Sequence, residues 1–226
     1  MNLAQWLSRA ARALCVLGAF AALPGTARAA TEGPATAPAL VVLGDSLSAG
    51  YGIRVEEGWV ALLERRLAEQ GYGYRVVNAS VSGETTAGGL ARLPRVLDRQ
   101  RPAILVIELG GNDGLRGLPV DDMRRNLTAL VAQARAADAR VLLVGTRMPG
   151  NYGPLYTEQY LQVFAAVAKA EHVALVPSLL EGVAADERNF QADRLHPTAA
   201  VQSALLASVW HGLEPLLGPP ARARSR

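Results

Sequence analysis

The 226-residue chain has one cysteine, three histidines and few aromatic residues (5%). The apolar run at 13–23 is 11 residues long, about half of the roughly 20 that a bilayer-spanning helix needs. That length excludes a membrane anchor there. Arg9 and Arg12 precede the run, Pro24-Gly25 breaks it, and Ala27-Arg28-Ala29 puts small residues where a signal peptidase reads. Residues 1–29 are therefore expected to be a signal peptide, cut after Ala29, which sends the protein to the periplasm or out of the cell. Cys15 leaves with it, and Leu14 before it is too large for a lipidation signal. The mature chain then lacks any thiol, which excludes a disulfide framework and a cysteine nucleophile.

An excess of one charge is missing from the body as well. The formal net charge is +3, but Arg9, Arg12 and Arg28 lie in the leader and Arg222, Arg224 and Arg226 in the last six residues. Between these ends stand 17 basic against 20 acidic side chains. A phosphate-backbone binder needs a basic face, so no nucleic-acid partner is expected. Residues 218–226 read as a disordered Arg-rich tail, with at most a transient membrane-surface contact, and 30–39 as a flexible lead-in. Metal-ligand spacing is absent. Gly50-Tyr51-Gly52 and Gly71-Tyr72-Gly73 lack the continuation of a phosphate-cradling loop. No metal and no cofactor are expected. Half the residues are apolar, and neither a repeat nor a linker divides 40–217, which reads as one domain.

What the body does have is a fivefold alternation. Short continuous apolar runs at 40–43, 75–78, 104–109, 141–145 and 173–177 have the character of strands covered on both faces. Longer segments between them carry helical spacing: Trp59, Leu62, Leu63 and Leu67; Met123, Leu127, Leu130, Val131 and Ala134; Tyr160, Val163, Phe164 and Val167; Val201, Leu205, Val209 and Leu213. Asp121 or Asp122 is the expected N-cap of the second, and Gly71 and Gly182 are expected stop signals. Gly88, Gly89 and Pro94 weaken the helix expected over 85–98. Strand–helix alternation of this kind predicts an α/β fold, a parallel sheet with helices on both faces.

In such sheets the working residues gather at the carboxyl ends of the strands. After the first strand comes Gly44-Asp45-Ser46-Leu47, after the second Ser82-Gly83-Glu84, after the third Gly110-Gly111-Asn112-Asp113. Asp193-Arg194-Leu195-His196-Pro197 precedes the last helix. A hydroxyl, a free N–H at a small residue, a side-chain amide, and an imidazole with a carboxylate three residues upstream are the parts of acyl transfer by a serine nucleophile. Each has a blander use: a strand-to-turn sequence at 44–47, a positive φ at Gly83, a capping Asn112, a helix-start device at 193–196. Their joint occurrence in order favours chemistry.

Those four blocks resemble, in order, the blocks of the GDSL or SGNH hydrolases. Stretches 44–52, 77–83, 88–94, 108–117 and 149–153 extend the likeness toward the family's exported multifunctional bacterial esterases, and it covers nearly all of 40–217. The resemblance implies a three-layer α/β/α, flavodoxin-like fold with a five-stranded parallel sheet. It implies Ser46 as nucleophile, His196 as its base and Asp193 as the acid that fixes the imidazole tautomer. The oxyanion hole would be the N–H groups of Ser46 and Gly83 and the Asn112 amide. Carboxylic esters, thioesters and lysophospholipids would be the small-molecule substrates; independently of the resemblance, a monomer is expected.

The turn at 114–119 would be a mobile flap, with Leu115, Leu118, Met148 and Tyr152 as tentative substrate-binding residues. Carbohydrate O-acetyl esterase activity and a catalytically silent periplasmic lipid-binding module are the alternatives on the same fold. Asp113 is expected to be structural, and Asp45 and Glu84 supporting polar groups. Ser48, Ser80 and Ser82 are the rival hydroxyls, and His172 and His211 are expected to be structural.

Overall fold

The computed structural model describes residues 37–147 and 152–220. The expected leader, most of the lead-in, Met148 and the arginines of the tail lie outside the described residues.

Five parallel strands form one sheet: β1 (Ala39–Gly44), β2 (Arg75–Asn78), β3 (Pro102–Glu108), β4 (Arg140–Val144) and β5 (Ala174–Val176), in the spatial order β2-β1-β3-β4-β5. Each lies close to where a continuous apolar run stands in the sequence. Ala39, expected in the lead-in, is instead the first residue of β1 and is buried. Side chains alternate across the sheet. Val41, Leu43, Leu105, Ile107 and Leu143 enter one core layer, and Leu40, Val42, Ile104, Val106 and Leu142 the other. Helices α3 (Thr86–Gln100), α5 (Val120–Ala136) and α6 (Pro154–Glu171) cover the first face. Helices α2 (Trp59–Glu69) and α7 (Gln202–Leu217) cover the second, which completes three α/β/α layers. Two short helices, α1 (Ser46–Ala49) and α4 (Gly111–Leu115), begin just past the carboxyl ends of β1 and β3.

The strand order reverses between β1 and β3, the point at which sheets of this topology bind ligands. In register, Gly44 of β1 stands opposite Glu108 of β3, so the turns that follow both strands open side by side.

The weakened helix forms in full, and two other local expectations need correction. Helix α3 runs through Pro94 despite its weak propensity, because Leu93 is fully buried and Thr85 caps the start by accepting from Gly88 N–H. The glycine at 89 lets the helix approach the sheet: a Cβ there would overlap the Leu109 side chain. Helix α5 is capped at Pro119, with Asp121 and Asp122 in its first turn, where acids suit the helix dipole and pair with Arg124 and Arg125. Gly182 ends no helix. Leu179, Leu180 and Val183 bury themselves on the α2/α7 face from a turn, so apolar burial there needs no helical period.

The crossover after β4 is equally tight. A Cβ on Gly145 would overlap the backbone carbonyl oxygen of Pro177, and Gly145 exchanges bonds with Val176 O (2.9 Å) and Leu179 N–H (2.8 Å). No flexible side chain can yield there. Gly145→Ala is expected to destabilise the fold by about 1–3 kcal/mol, seen as a lower urea midpoint at unchanged slope.

Candidate active site

The turn after β1 delivers Ser46 at the start of α1. Asp45 accepts the Leu47 N–H at 3.0 Å through Oδ1, which caps the helix, and Gly50 ends it at φ 76°. Gly44 allows so abrupt a turn, because a Cβ there would stand 2.7 Å from the Ser48 side chain.

Ser46 meets a turn from the far end of the chain. Its Oγ lies 2.8 Å from His196 Nε2, and His196 Nδ1 lies 2.7 Å from Asp193 Oδ2. With the proton on Nδ1 facing the carboxylate, Nε2 is free to accept from the serine hydroxyl. Asp193 also accepts the N–H groups of Leu195 (2.9 Å) and His196 (3.0 Å) through Oδ1, so one carboxylate both folds the turn and orients the ring. Partial burial opposes its ionisation, but the His196 ring and the two N–H groups outweigh that and hold the carboxyl down to about 2. Arg194, between acid and base, takes a left-handed φ of 58°, a conformation that costs a residue with a Cβ about 1–2 kcal/mol.

The side-chain amide of Asn112, in α4, donates to Asp45 Oδ2 at 3.1 Å and to Glu84 O at 3.0 Å. Gly83 stands exposed with φ 80°, its carbonyl accepting from Arg116 Nη2 at 2.7 Å. Among the described residues, the N–H groups of Ser46 and Gly83 have no protein acceptor. Asp113 accepts from the Thr86 N–H at 2.8 Å and from its hydroxyl, tying α4 to the start of α3.

Beneath Ser46 lie two buried acids. Burial pushes Asp45 up to about 6, against the Leu47 N–H, the His196 charge and the Asn112 amide, which favour its charged form. Burial, with Asp45 beside it, pushes Glu108 well above the usual carboxylate range although Ser48 Oγ donates to it at 2.6 Å. That bond turns the rival hydroxyl of Ser48 away from the site. His172 closes α6 and His211 donates from Nδ1 to Ala207 O at 2.8 Å within α7.

Ser46, Asn112 and His196 open on a cavity of about 250 Å³. Leu115 lines it. Leu118 and Tyr152 do not: the Tyr152 hydroxyl donates to Leu115 O at 2.8 Å and the Tyr156 hydroxyl to Leu118 O at 3.0 Å, so these tyrosines hold the 114–119 turn from behind. Met148 lies outside the described residues. The apolar wall that sequence reading missed comes from the segment between β5 and α7, with Leu180, Ala184, Phe190 and Leu195; Glu187 and Arg194 of the same segment and Arg147 after β4 add charge to the cavity lining. Its one local trace was the apolar clustering at Leu179-Leu180 and Val183-Ala184, which has no regular period.

A doubly wound five-stranded parallel sheet with a serine, an imidazole and a carboxylate in hydrogen-bond series at its switch point is the arrangement of a serine esterase on a flavodoxin-like fold. The chain belongs to the GDSL-like lipase/acylhydrolase family, whose model matches residues 42–204. It is 52% identical over 206 residues to the esterase TesA of Pseudomonas aeruginosa, covering 91% of this chain and all of that one. It is 38% identical over 183 residues to thioesterase 1/protease 1/lysophospholipase L1 of Escherichia coli, covering 81% of this chain and 86% of that protein. Among solved structures, the esterase EstA from Pseudoalteromonas, inhibited by monoethylphosphonate, superimposes with a TM-score of 0.76 at 37% identity, covering 80% of this chain and 99% of that one.

Proposed function

We propose that the protein is an exported hydrolase of acyl esters and thioesters, lysophospholipids included, acting through Ser46, His196 and Asp193. The observation that carries this reading is the unbroken series of hydrogen bonds from Asp193 through His196 to Ser46, which lines the cavity. His196 Nε2 takes the Ser46 proton as Oγ attacks the acyl carbon, and Asp193 holds the imidazolium that forms. The oxyanion is received by the N–H groups of Ser46 and Gly83 and by the Asn112 amide, which gives up one of its present acceptors to do so. Collapse expels the alcohol or thiol, which takes the proton back from His196. Water then attacks the acyl-enzyme with His196 again as base, releasing the carboxylic acid and free Ser46. The acyl chain lies along the apolar wall of Leu180, Phe190 and Leu195, with Leu115 on the flap side.

A serine-directed organophosphonate tests the reading. It is expected to add its mass to the peptide that carries Ser46 and to stop hydrolysis of p-nitrophenyl esters in proportion. Absence of labelling, with no hydrolysis at any acyl length, would refute it. Export rests on the leader: the mature protein isolated from cells is expected to begin at Ala30, and an intact N-terminus would count against it. Among the described residues no helix is long and apolar enough to cross a membrane.

A further inference from the structure

We propose that Gln191 and Tyr51 are positioning residues for His196: Gln191 clamps the turn that carries the imidazole onto the turn that follows Ser46, and this clamp seats the Tyr51 ring on the imidazole face. The inference rests on the reading of Ser46, His196 and Asp193 given above.

Gln191 closes the base-bearing turn from within. Its N–H donates to His196 O at 2.8 Å, and its carbonyl accepts the Arg194 N–H at 2.9 Å. Its side-chain amide gives both hydrogens to carbonyls, Tyr51 O at 2.8 Å and Pro197 O at 3.1 Å. One residue thereby joins two turns 140 positions apart, the same two whose side chains meet as Ser46 Oγ and His196 Nε2. The fit allows little slack. Gly52 adjoins Tyr51 with φ 75°, and a Cβ there would overlap the Gln191 side chain.

Tyr51 has no core to fill, because it is 53% exposed. Its ring nevertheless lies 4.5 Å from the imidazole, centroid to centroid, at a 39° tilt. There it covers one imidazole face against water and restricts rotation of the ring. When His196 holds the proton taken from Ser46, the π face also favours the cation. Asp193 and Ser46 fix the two ring nitrogens, while Tyr51 fixes the plane.

The test is a set of double-mutant cycles on a soluble p-nitrophenyl ester, with melting temperatures measured alongside. Gln191→Met keeps the length of the side chain and removes its donors. It is expected to lower kcat by about 10- to 100-fold, the cost of an ångström-scale misplacement, with KM within about twofold. Tyr51→Ala, a surface change that does not threaten the fold, is expected to cost about 3- to 30-fold in kcat, and Tyr51→Phe to restore it to within about twofold. In a His196→Ala background neither residue has a base left to place, so each is expected to cost less than about twofold more. If His196→Ala were harmless, the triad reading would fall. If it were crippling but the second losses multiplied, this inference alone would fall. Should Gln191→Met not fold, the tyrosine pair decides: full kcat in Tyr51→Ala, or no recovery in Tyr51→Phe, overturns the proposal.

Discussion

Ser46→Ala is expected to lower kcat on p-nitrophenyl esters by about 10⁵- to 10⁶-fold while leaving KM and the melting temperature nearly unchanged. The hydroxyl is the only atom lost, and its partner His196 keeps its bond to Asp193. The helix cap is untouched, because Asp45 accepts from the backbone of Leu47. His196→Ala should cost about as much, and the double variant little more than either, because in the proposed mechanism base and nucleophile act as one unit. What survives, about 10³-fold over water, belongs to the oxyanion donors and to binding. A Ser46→Ala enzyme keeping more than about a hundredth of its rate would transfer the chemistry to another hydroxyl. The neighbours are poorly placed for it: Ser48 is buried on Glu108, and the Ser80 hydroxyl is buried without a partner.

Asp193→Asn is expected to cost about 10⁴-fold in kcat with the fold retained. The amide oxygen can still accept the N–H groups of Leu195 and His196, so the turn survives. The amide nitrogen, however, would face His196 Nδ1 with hydrogens of its own. The ring then places its proton on Nε2, which donates toward Ser46 instead of accepting from it. Stability should follow in a definite direction. The folded carboxyl of Asp193 is held at about 2, below its ordinary 3.8, so its stabilisation is complete above that ordinary value and is lost as the pH falls toward 2. The stability difference between Asp193→Asn and the parent should therefore shrink over that window in acid titrations followed by circular dichroism. A difference that grows on acidification would contradict the assigned ionisation.

Much of this site is legible along the chain because its parts sit beside strand ends. The continuous apolar runs of β1 and β3 mark where the turns must open, and a serine and an asparagine within a few residues of their ends read as candidates without any structure. Asp193 and His196 are close enough for one turn to hold both. The helical faces are legible for the same reason: Met123, Leu127, Leu130, Val131 and Ala134 are all buried, as their spacing requires. The failures also have physical causes. Leu118 and Tyr152 stand near the 114–119 turn or its neighbour in the fold, but neither lines the cavity: the Tyr152 hydroxyl bonds to the Leu115 carbonyl, and Leu118 engages Tyr156 through its backbone. The apolar wall at Leu180, Phe190 and Leu195 sits in irregular backbone, where no period announces burial.

From the sequence alone came the α/β alternation and the identity of the chemical groups, because both are written in local pattern: residue type, period, and position after a strand. Tertiary structure alone decided how those groups meet. Ser46 and His196 are 150 positions apart, and Gln191 reaches Tyr51 across 140. Distances of that kind are set by the register of Gly44 against Glu108 and by the packing of helices on both faces of the sheet, and no short stretch of sequence encodes them.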